Sequence, residues 1–466
     1  MGLFDFDYDD TDDADAERLR DLVAAYESGE ATYFDSHDLE EIASFYYEQE
    51  RYDDALTVVD RLLESAPHDG EAWMRRGILL GALDRNTDAL EAYDWALTLL
   101  PDDVEVIVNR GVALDLLGRT DEALEAFEHA LALEPTHEDA LFNLGLTFER
   151  ADRLDEALQA FERCADLDPD HPEVYYEIGF CLDRMGRDED SLVAYDRHLD
   201  HEPYSADAWY NKGIVFTRLE RFDEALNAYD LALAVDDTFA SAHYNRGNVL
   251  ANLGQLDEAV EAYERVLQLE GPDAATYYNL GLAYEEQQRL GEAMEAFRHA
   301  LVLDSGYAEA HYGLGCCLDA EGRFDDAIRA FDAALGLHPE VAEFHYARAD
   351  SLYNAGRLAD ALDAYRQVVT MEPDNGDGWL DYADTLFEAG RFPEAVDAFR
   401  AAHRAAPDNA AVHFREAKAF YAAGDTDATV RALDTAFRLD PTLRDDFRAA
   451  YPGLYADPAL RRRLRF

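Results

Sequence analysis

A pattern that returns every 34 residues constrains the fold of this chain more than any other feature of its sequence. With position 1 of the pattern at residue 36, twelve units follow one another over 36–443 without an insertion or deletion. Position 8 is glycine or alanine in every unit, position 20 is alanine in ten, and position 32 is proline in nine. Such a period predicts short structural repeats that stack on one another rather than separate globular domains.

Each recurrent position has a physical role in a pair of helices. Small residues at positions 8 and 20 let the two helices approach closely. The aromatic ring found at position 24 in ten units is expected to fill the space between one pair and the next. Proline at position 32 lies where the chain leaves the second helix. Segments such as "GQLDEA" are predicted turns in which glycine ends the first helix and aspartate caps the second.

The segment "AWYNKGIVFTRLERFDEALNAYDLAL" resembles the tetratricopeptide repeat, whose signature is W-x2-L-G-x2-Y followed by A-x3-F and P. The resemblance covers residues 36–443. It implies an all-α fold, a right-handed superhelical α-solenoid of helix pairs with terminal capping helices.

The segments outside the repeats are expected to cap the array, because a terminal repeat lacks a neighbour on one side. Residues 1–35 are predicted to be an acidic segment with a capping helix over 14–28, and 444–466 a capping helix with a basic tail. The basic cluster either pairs with the acidic body or docks a partner. It consists of Arg461, Arg462, Arg463 and Arg465.

The charge of the chain limits its partners. Its 101 acidic residues against 40 basic residues give a net charge of -61, and only Lys212 and Lys418 are lysines. A field this negative argues against nucleic acid and anionic membranes as partners. Acid spread evenly with little lysine resembles proteins of extreme halophiles, although a charge suited to a basic ligand is the alternative. The N-terminal sequence lacks a signal-peptide pattern and no 18-residue apolar window occurs, so a cytoplasmic location without membrane insertion is expected.

A recurring asparagine marks the candidate binding surface. At 100° per residue, positions 4, 7, 8 and 11 of the first helix form a buried stripe, and positions 2, 5, 6, 9, 12 and 13 face the opposite way. Position 6 carries Asn109, Asn143, Asn211, Asn245 and Asn279. The row is interrupted by Glu177, and after Asn279 position 6 becomes Gly313, Ala347, Asp381 and Arg415.

A spaced row of amides can bond the N–H and C=O groups of an extended peptide without reading its side chains. The row resembles the asparagine ladder in the superhelical repeat domain of the O-linked N-acetylglucosamine transferases. The resemblance is limited to this ladder and implies no transferase activity, because this chain contains no glycosyltransferase domain. Position 5 adds tyrosines suited to recognition: Tyr176, Tyr210, Tyr244, Tyr278, Tyr312 and Tyr346. Position 2 is acidic in most units, so the expected ligand is a neutral or basic protein segment. In the alternative interpretation the asparagines bond local backbone or water, and the tyrosines pack partly against the next helix.

The sequence offers no support for catalysis, a metal or a cofactor. It lacks the G-x-S-x-G, phosphate-loop and H-E-x-x-H motifs. Position 4, a packing position, holds His243, His311, His345 and His413. Cys181 and Cys317 share position 10, where packing is also expected. The leading hypothesis is therefore a non-catalytic scaffold that binds an extended or helical segment of a partner protein. The alternatives are a self-associating array, which would form homo-oligomers, and a regulatory subunit of an enzyme supplied in trans.

Overall fold

The computed structural model describes residues 13–29, 33–407, 409–450 and 452–464, and its regular structure in these residues is helical throughout. The helices are α1 (Asp13–Ser28), α2 (Ser36–Glu48), α3 (Tyr52–Ser65), α4 (Gly70–Ala82), α5 (Asn86–Leu99), α6 (Val104–Leu116), α7 (Thr120–Leu133), α8 (Glu138–Arg150), α9 (Leu154–Leu167), α10 (Val174–Arg184), α11 (Asp188–His201), α12 (Ala206–Arg218), α13 (Phe222–Val235), α14 (Ala240–Asn252), α15 (Leu256–Glu270), α16 (Ala274–Glu286), α17 (Leu290–Leu303), α18 (Ala308–Ala320), α19 (Phe324–Leu337), α20 (Ala342–Asn354), α21 (Leu358–Met371), α22 (Gly376–Glu388), α23 (Phe392–Ala405), α24 (Ala410–Ala422), α25 (Thr426–Leu439), α26 (Leu443–Ala450), α27 (Pro452–Ala456) and α28 (Pro458–Leu464).

Helices α2 to α25 form twelve pairs, one for each 34-residue unit, and every pair packs as a helical hairpin. The all-α tandem-pair fold predicted from the sequence is thereby confirmed. The chain divides into two compact units, Met1–Val235 and Asp236–Phe466, which we call the N-terminal unit and the C-terminal unit.

Glycine at position 8 packs closely against the ring at position 24 of the same repeat, although two repeats combine alanine at position 8 with Tyr365 or Phe399. A Cβ atom on Gly213 would lie 2.4 Å from Cε1 of Tyr229, and one on Gly281 would lie 2.6 Å from the same atom of Phe297. Phe297 also faces the next repeat, where a Cβ on Gly313 would lie 2.6 Å from its Cζ. The ring therefore fills the space inside its own helix pair as well as the expected space toward the following one.

The buried stripe of the first helix is broader than the predicted positions 4, 7, 8 and 11. Positions 3 and 10 are also buried in nearly every repeat, as Val174 and Cys181 show in α10. At position 3 of α22, a Cβ on Gly378 would lie 3.2 Å from Val368 of the preceding repeat's second helix, so stacking on that helix widens the buried arc. Cys181 and Cys317 are buried at position 10, in agreement with the packing role expected for them.

The predicted aspartate cap of the second helix is wrong. In α7 the N-cap is Arg119, whose side chain makes no capping bond, and Asp121 lies in the first turn. Arg119 instead pairs with Glu122 three residues later, and Arg153 pairs with Glu156 in the same way. Capping side chains occur at position 34, before the first helix of the next repeat, where Asp103 accepts the N–H of Val106. The carboxylates of "DEA" stabilise the helix start through its dipole, which does not require the cap position.

The turn between the two helices uses a left-handed residue at position 15 of every repeat. Gly118 and Gly254 have φ of +72°, whereas Glu220 and Gln288 adopt +56° and +60° with a side chain present. Glycine is thus favoured but not required at the end of the first helix. The backbone hydrogen bonds of the turn hold other residues in the same left-handed conformation.

Short helices lie against both ends of the repeats. In α1, Val23 is buried and Leu19, Leu22 and Tyr26 pack on the first repeats. At the other end Phe447 of α26 is buried against Phe437, and Arg463 of α28 pairs with Asp427. Residues 1–12 and Arg465, on which part of the capping prediction falls, lie outside the described residues.

Candidate functional site

The first helices of adjacent repeats form the surface on which the sequence places the candidate site. They contact each other directly in α6 with α8 and α10 with α12 of the N-terminal unit, and in α16 with α18 and α18 with α20 of the C-terminal unit. We call the side chains at positions 2, 5, 6, 9, 12 and 13 of these helices the first-helix face. All eleven candidate asparagines and tyrosines lie on this face and are half-buried.

The six candidate tyrosines pack on the aromatic ring at position 24 of their own repeat. The ring centroids are 5.9 Å apart for Tyr176 and Tyr195 and 6.1 Å apart for Tyr244 and Tyr263. The same arrangement holds for Tyr210, Tyr278, Tyr312 and Tyr346, with centroids 5.7–6.0 Å from the position-24 ring. Tilted ring pairs at this distance are favourable. Each tyrosine ring therefore contacts the core on one side.

Two of the asparagines connect neighbouring repeats through these tyrosines. The Asn211 amide donates to the Tyr176 hydroxyl at 3.1 Å, and the Asn279 amide donates to the Tyr244 hydroxyl at 2.9 Å. Asn279 also lies 3.2 Å from Oδ1 of Asn248, which accepts a bond from Tyr263. The link spans 35 residues, from position 5 of one repeat to position 6 of the next. These amides are thus oriented by the protein itself.

The asparagine row is not uniform. The Asn143 amide donates at 2.8 Å to the carbonyl of Asp139, one turn earlier in its own helix. Asn109 and Asn245 are half-buried on the same face. The structure therefore gives the amides at position 6 at least two local arrangements, one within a helix and one between repeats.

Glu177, which interrupts the row, shares a hydrogen bond with Glu149 of the preceding repeat. Burial of the Glu177 carboxyl raises its pKa to about 8, and the charge of Glu149 and the bond between the two carboxyls add to the rise. A protonated carboxyl presents an O–H donor beside a carbonyl acceptor, as a primary amide presents N–H donors beside a carbonyl acceptor. Below this pKa, Glu177 thus offers the same kind of groups as the asparagines on either side.

In the C-terminal unit the same positions become acidic. The Tyr346 hydroxyl donates to Asp381 at position 6 of the next repeat, where an asparagine stands in the earlier links. At position 9, Asp350 accepts from Tyr365 in the way that Asn248 accepts from Tyr263. The link between repeats is retained, but carboxylates replace amides.

These carboxylates line a cavity of about 400 Å³ on the first-helix face of the C-terminal unit. We call it the acidic cavity; its lining residues are Asp319, Asp350, Tyr353, Asn354, Tyr365, Asp381, Asp384, Thr385 and Arg415. Nη1 of Arg415 lies 2.5 Å from Oδ2 of Asp384 and 3.9 Å from Oδ1 of Asp381. Asp319 accepts from the Ser351 hydroxyl. The lining therefore contains four carboxylates and one guanidinium.

Burial and the charges of neighbouring carboxylates raise the pKa of two of the cavity carboxyls, Asp350 and Asp384. Burial raises the pKa of Asp350 to about 6; the Tyr365 hydrogen bond lowers it, and the charges of Asp381 and Asp319 raise it further. Burial also raises the pKa of Asp384, against the opposing effect of Arg415 and Lys418. A cation brought into the cavity would relieve this repulsion.

Sequence reasoning noted Asp381 and Arg415 only as the end of the asparagine row and missed Asp319, Asp350 and Asp384. The available signal was an acidic residue at position 12 of one repeat, at position 9 of the next, and at positions 6 and 9 of the third. It was obscured because carboxylates are abundant along the whole chain.

The histidines at position 4 bond the turn that precedes their helix. Nε2 of His243 lies 3.1 Å from the Asp237 carbonyl oxygen, and Nε2 of His345 lies 2.9 Å from that of Pro339. The indole N–H of Trp379 makes the equivalent bond to Pro373. Over the described part of the chain, no group of three His, Cys, Asp or Glu side chains has the geometry to hold a metal ion. Within those same residues, no helix is long and apolar enough to cross a membrane.

Stacked helix pairs with this periodic core define an all-helical tandem-repeat protein. A family model described as tetratricopeptide repeat matches residues 41–104, 108–172, 244–308, 300–342, 312–370 and 346–410, which together span more than half of the chain. A second tetratricopeptide model matches 148–212 and 386–451, and a third matches 215–254. The chain belongs to the tetratricopeptide repeat family. Proteins of this family are typically non-catalytic scaffolds for other proteins.

The chain is also similar to solved structures. MamA from Desulfovibrio magneticus RS-1 (41 to its end) is 27% identical over 36% of this chain and 95% of that chain, with a TM-score of 0.35. YrrB, described as a TPR protein with an unusual peptide-binding site, is 24% identical over 39% and 94%, with a TM-score of 0.36. The APC/C hetero-tetramer Cut9-Hcn1 is 15% identical over 89% and 99%, with a TM-score of 0.41. No protein with a curated description matches the chain. The family assignment therefore rests on the repeat sequences themselves.

Proposed function

We propose that this protein is a non-catalytic scaffold whose first-helix face binds a neutral or basic segment of a partner protein, with a lysine or arginine of that segment in the acidic cavity. The observation that carries the proposal is the charge imbalance of the cavity, whose lining contains four carboxylates and one basic side chain, Arg415. Buried charge is costly unless it is paired. A cationic side chain from a partner would supply the missing pairing.

The hydroxyl groups that bond the cavity carboxylates are compatible with a cationic ligand. Tyr365 and Ser351 are neutral donors, so their bonds to Asp350 and Asp319 orient the carboxylates without compensating their charge. Lys418 lies over the Phe387 ring at 4.4 Å, beside rather than inside the cavity lining. A volume of about 400 Å³ lies within the range of roughly 300–1,000 Å³ that is usual for sites that enclose small ligands.

The asparagines and tyrosines would contact the main chain of the same kind of segment. Asn211 uses one amide hydrogen on Tyr176, and a primary amide has a second N–H and a carbonyl oxygen. Its orientation is fixed before a ligand arrives, which lowers the entropic cost of binding. The proposed contacts are Asn109, Asn143, Asn211, Asn245 and Asn279 with Tyr176, Tyr210, Tyr244, Tyr278, Tyr312 and Tyr346.

The test is affinity capture from the native host lysate with three forms of the full chain. The cavity variant carries Asp350→Asn and Asp381→Asn, which keep the hydrogen-bonding shape and remove two charges. The matched control carries Asp374→Asn and Asp397→Asn, two exposed carboxylates outside the cavity, with the same change in net charge. All three must show the same helicity and remain folded under the conditions of the capture.

We expect wild type and control to capture the same defined protein and the cavity variant to lose it. Replacing the basic residues of that protein's binding segment one at a time by glutamine should then weaken binding at least about tenfold for one residue. Equal capture by the cavity variant and the control would refute the cavity as the binding determinant. A further variant with Asn211, Asn245 and Asn279 changed to alanine tests the main-chain contacts separately.

A further inference from the structure

A groove with an apolar floor lies on the other side of the N-terminal unit, between the second helices α9 and α11. Its floor is formed by Tyr175, Ile178 and Leu182 of α10, which are 5–8% exposed. Ala165 of α9 and Ala194 of α11 close the sides. The groove has a volume of about 520 Å³ and is separate from the first-helix face.

Val193 extends this floor onto the surface. It lies at position 22 of its repeat, lines the groove and is 58% exposed. Position 22 is polar or charged in every other repeat: Thr57, Glu91, Glu125, Gln159, Asn227, Glu261, Glu295, Arg329, Asp363, Asp397 and Arg431. The helix pair therefore does not need an apolar residue here. A single exposed valine is ordinary, but one that is continuous with an apolar groove marks an interaction site.

The walls of the groove carry different charges. Glu162 and Asp166 stand one turn apart on α9 and present two carboxylates. On the opposite wall Arg187 pairs with Asp190 at 2.7 Å, and Arg197 lies over the Tyr175 ring at 5.3 Å. The α9 wall is thus complementary to a basic side chain, while the floor and Val193 accept an aliphatic one.

We propose that this groove binds an amphipathic helix of a partner protein, which seats an aliphatic side chain against Val193 and the floor and a lysine or arginine against Glu162 and Asp166. Side chains three or four residues apart lie on one face of a helix, so a single helix turn supplies both contacts. This surface is independent of the acidic cavity, which lies in the other unit.

The test uses the full chain and a synthetic fluorescent peptide, an alanine-rich helix with two leucines four residues apart and an arginine one turn away. Two companion peptides replace the leucines by serine or the arginine by glutamate. Binding is measured by fluorescence anisotropy at low and at molar salt. The variant Val193→Glu introduces a residue that two preceding repeats carry at the same position. Val302→Glu is the matched control, because Val302 is 82% exposed in the other unit.

We expect the leucine–arginine peptide to bind wild type and Val302→Glu alike and to bind Val193→Glu at least about tenfold more weakly. The serine peptide should lose binding at both salt concentrations. The glutamate peptide should lose it mainly at low salt, and Glu162→Gln with Asp166→Asn should abolish that difference. No binding of the first peptide to wild type, or equal loss in Val193→Glu and Val302→Glu, would overturn the proposal. So would a wild-type dimer that Val193→Glu dissociates in sedimentation, because the occupant would then be a second copy of the chain.

Discussion

The side-chain amide of Asn279 donates to the hydroxyl of Tyr244 at 2.9 Å and so joins the first helices of two neighbouring repeats. Asn211 and Tyr176 make the same link in the N-terminal unit at 3.1 Å. In the C-terminal unit Asp381 replaces the amide as the partner of Tyr346. Position 6 therefore contributes to the stacking of repeats, and any ligand contact at these amides is made by groups that the stack already orients.

If the link stabilises the stack, Tyr244→Phe should lower the free energy of unfolding by about 1 kcal/mol, since it removes one partly buried hydrogen bond. Asn279→Ala should cost about 1–2 kcal/mol, because it also removes the bond to Asn248. The double variant should lose less than the sum, because the two side chains share the bond. Denaturant unfolding of the full chain measures all three. Asn143→Ala is the control, because its amide bonds only within its own helix. A cost for Asn279→Ala no greater than for Asn143→Ala would show that the link contributes nothing.

Gly213→Ala should destabilise the protein by about 1–3 kcal/mol, because the new methyl group would lie 2.4 Å from the buried Tyr229 ring and force the helix pair apart. Gly336→Ala is the matched substitution in a second helix, where a Cβ meets no atom within 4 Å. There, alanine should leave stability unchanged or raise it by up to about 1 kcal/mol through helix propensity. Thermal melts of both variants test the difference, and similar shifts for the two would contradict the packing role of position 8.

The Glu177 carboxyl should make stability fall as pH rises from its ordinary pKa of 4.5 to about 8, where the decrease levels off. Its pKa is about 8 in the folded chain against an ordinary value of 4.5, so the folded state holds this proton more tightly than the unfolded state does. The stabilising effect of protonation is complete below the ordinary value and is lost as pH rises through about 8. Glu177→Gln, which cannot ionise, should therefore be more stable than wild type at pH 9, and the difference should be much smaller at pH 5.

Unfolding curves from pH 5 to pH 9 check this dependence on Glu177. Glu261→Gln, which changes an exposed carboxylate on a second helix, is the control for net charge. An equal gain in the two variants at pH 9 would assign the effect to overall charge rather than to the pair of Glu177 with Glu149.

A chain with a net charge of -61 should lose stability when salt is diluted. Many of its ion pairs are exposed contacts between residues three apart, such as Arg119 with Glu122, and pairs of that kind stabilise little. The screening length grows from about 3 Å at 1 M to about 30 Å at 0.01 M ionic strength, so repulsion among the excess carboxylates increases. We expect the melting temperature to fall with dilution in NaCl and in KCl. A melting temperature that is unchanged or higher at low salt would contradict the halophilic interpretation.

The sequence was sufficient to predict the helix pairs, because each of their determinants recurs at one position of a fixed period. Glycine at position 8 implies a close contact, and in the structure the aromatic ring at position 24 of the same repeat makes that contact. Residue types at equivalent positions, such as Cys181 and Cys317, identify packing residues without a structure. The aspartate cap was predicted wrongly, because an acidic residue near a helix start stabilises it in the first turn as well as at the cap.

What the period cannot determine is how one repeat rotates on the next. The bond between Tyr244 and Asn279 joins residues 35 apart, and the acidic cavity combines positions 12, 9 and 6 of consecutive repeats with Tyr365 of a second helix. A linear pattern assigns each side chain to a face, whereas contacts between faces depend on the packing angle and on the rotamers chosen there. The sequence by itself thus determined the family, the helices and the face on which the candidate residues lie. Only the tertiary structure decided that Asn211 and Asn279 are bonded to tyrosines and that the carboxylates converge on one cavity.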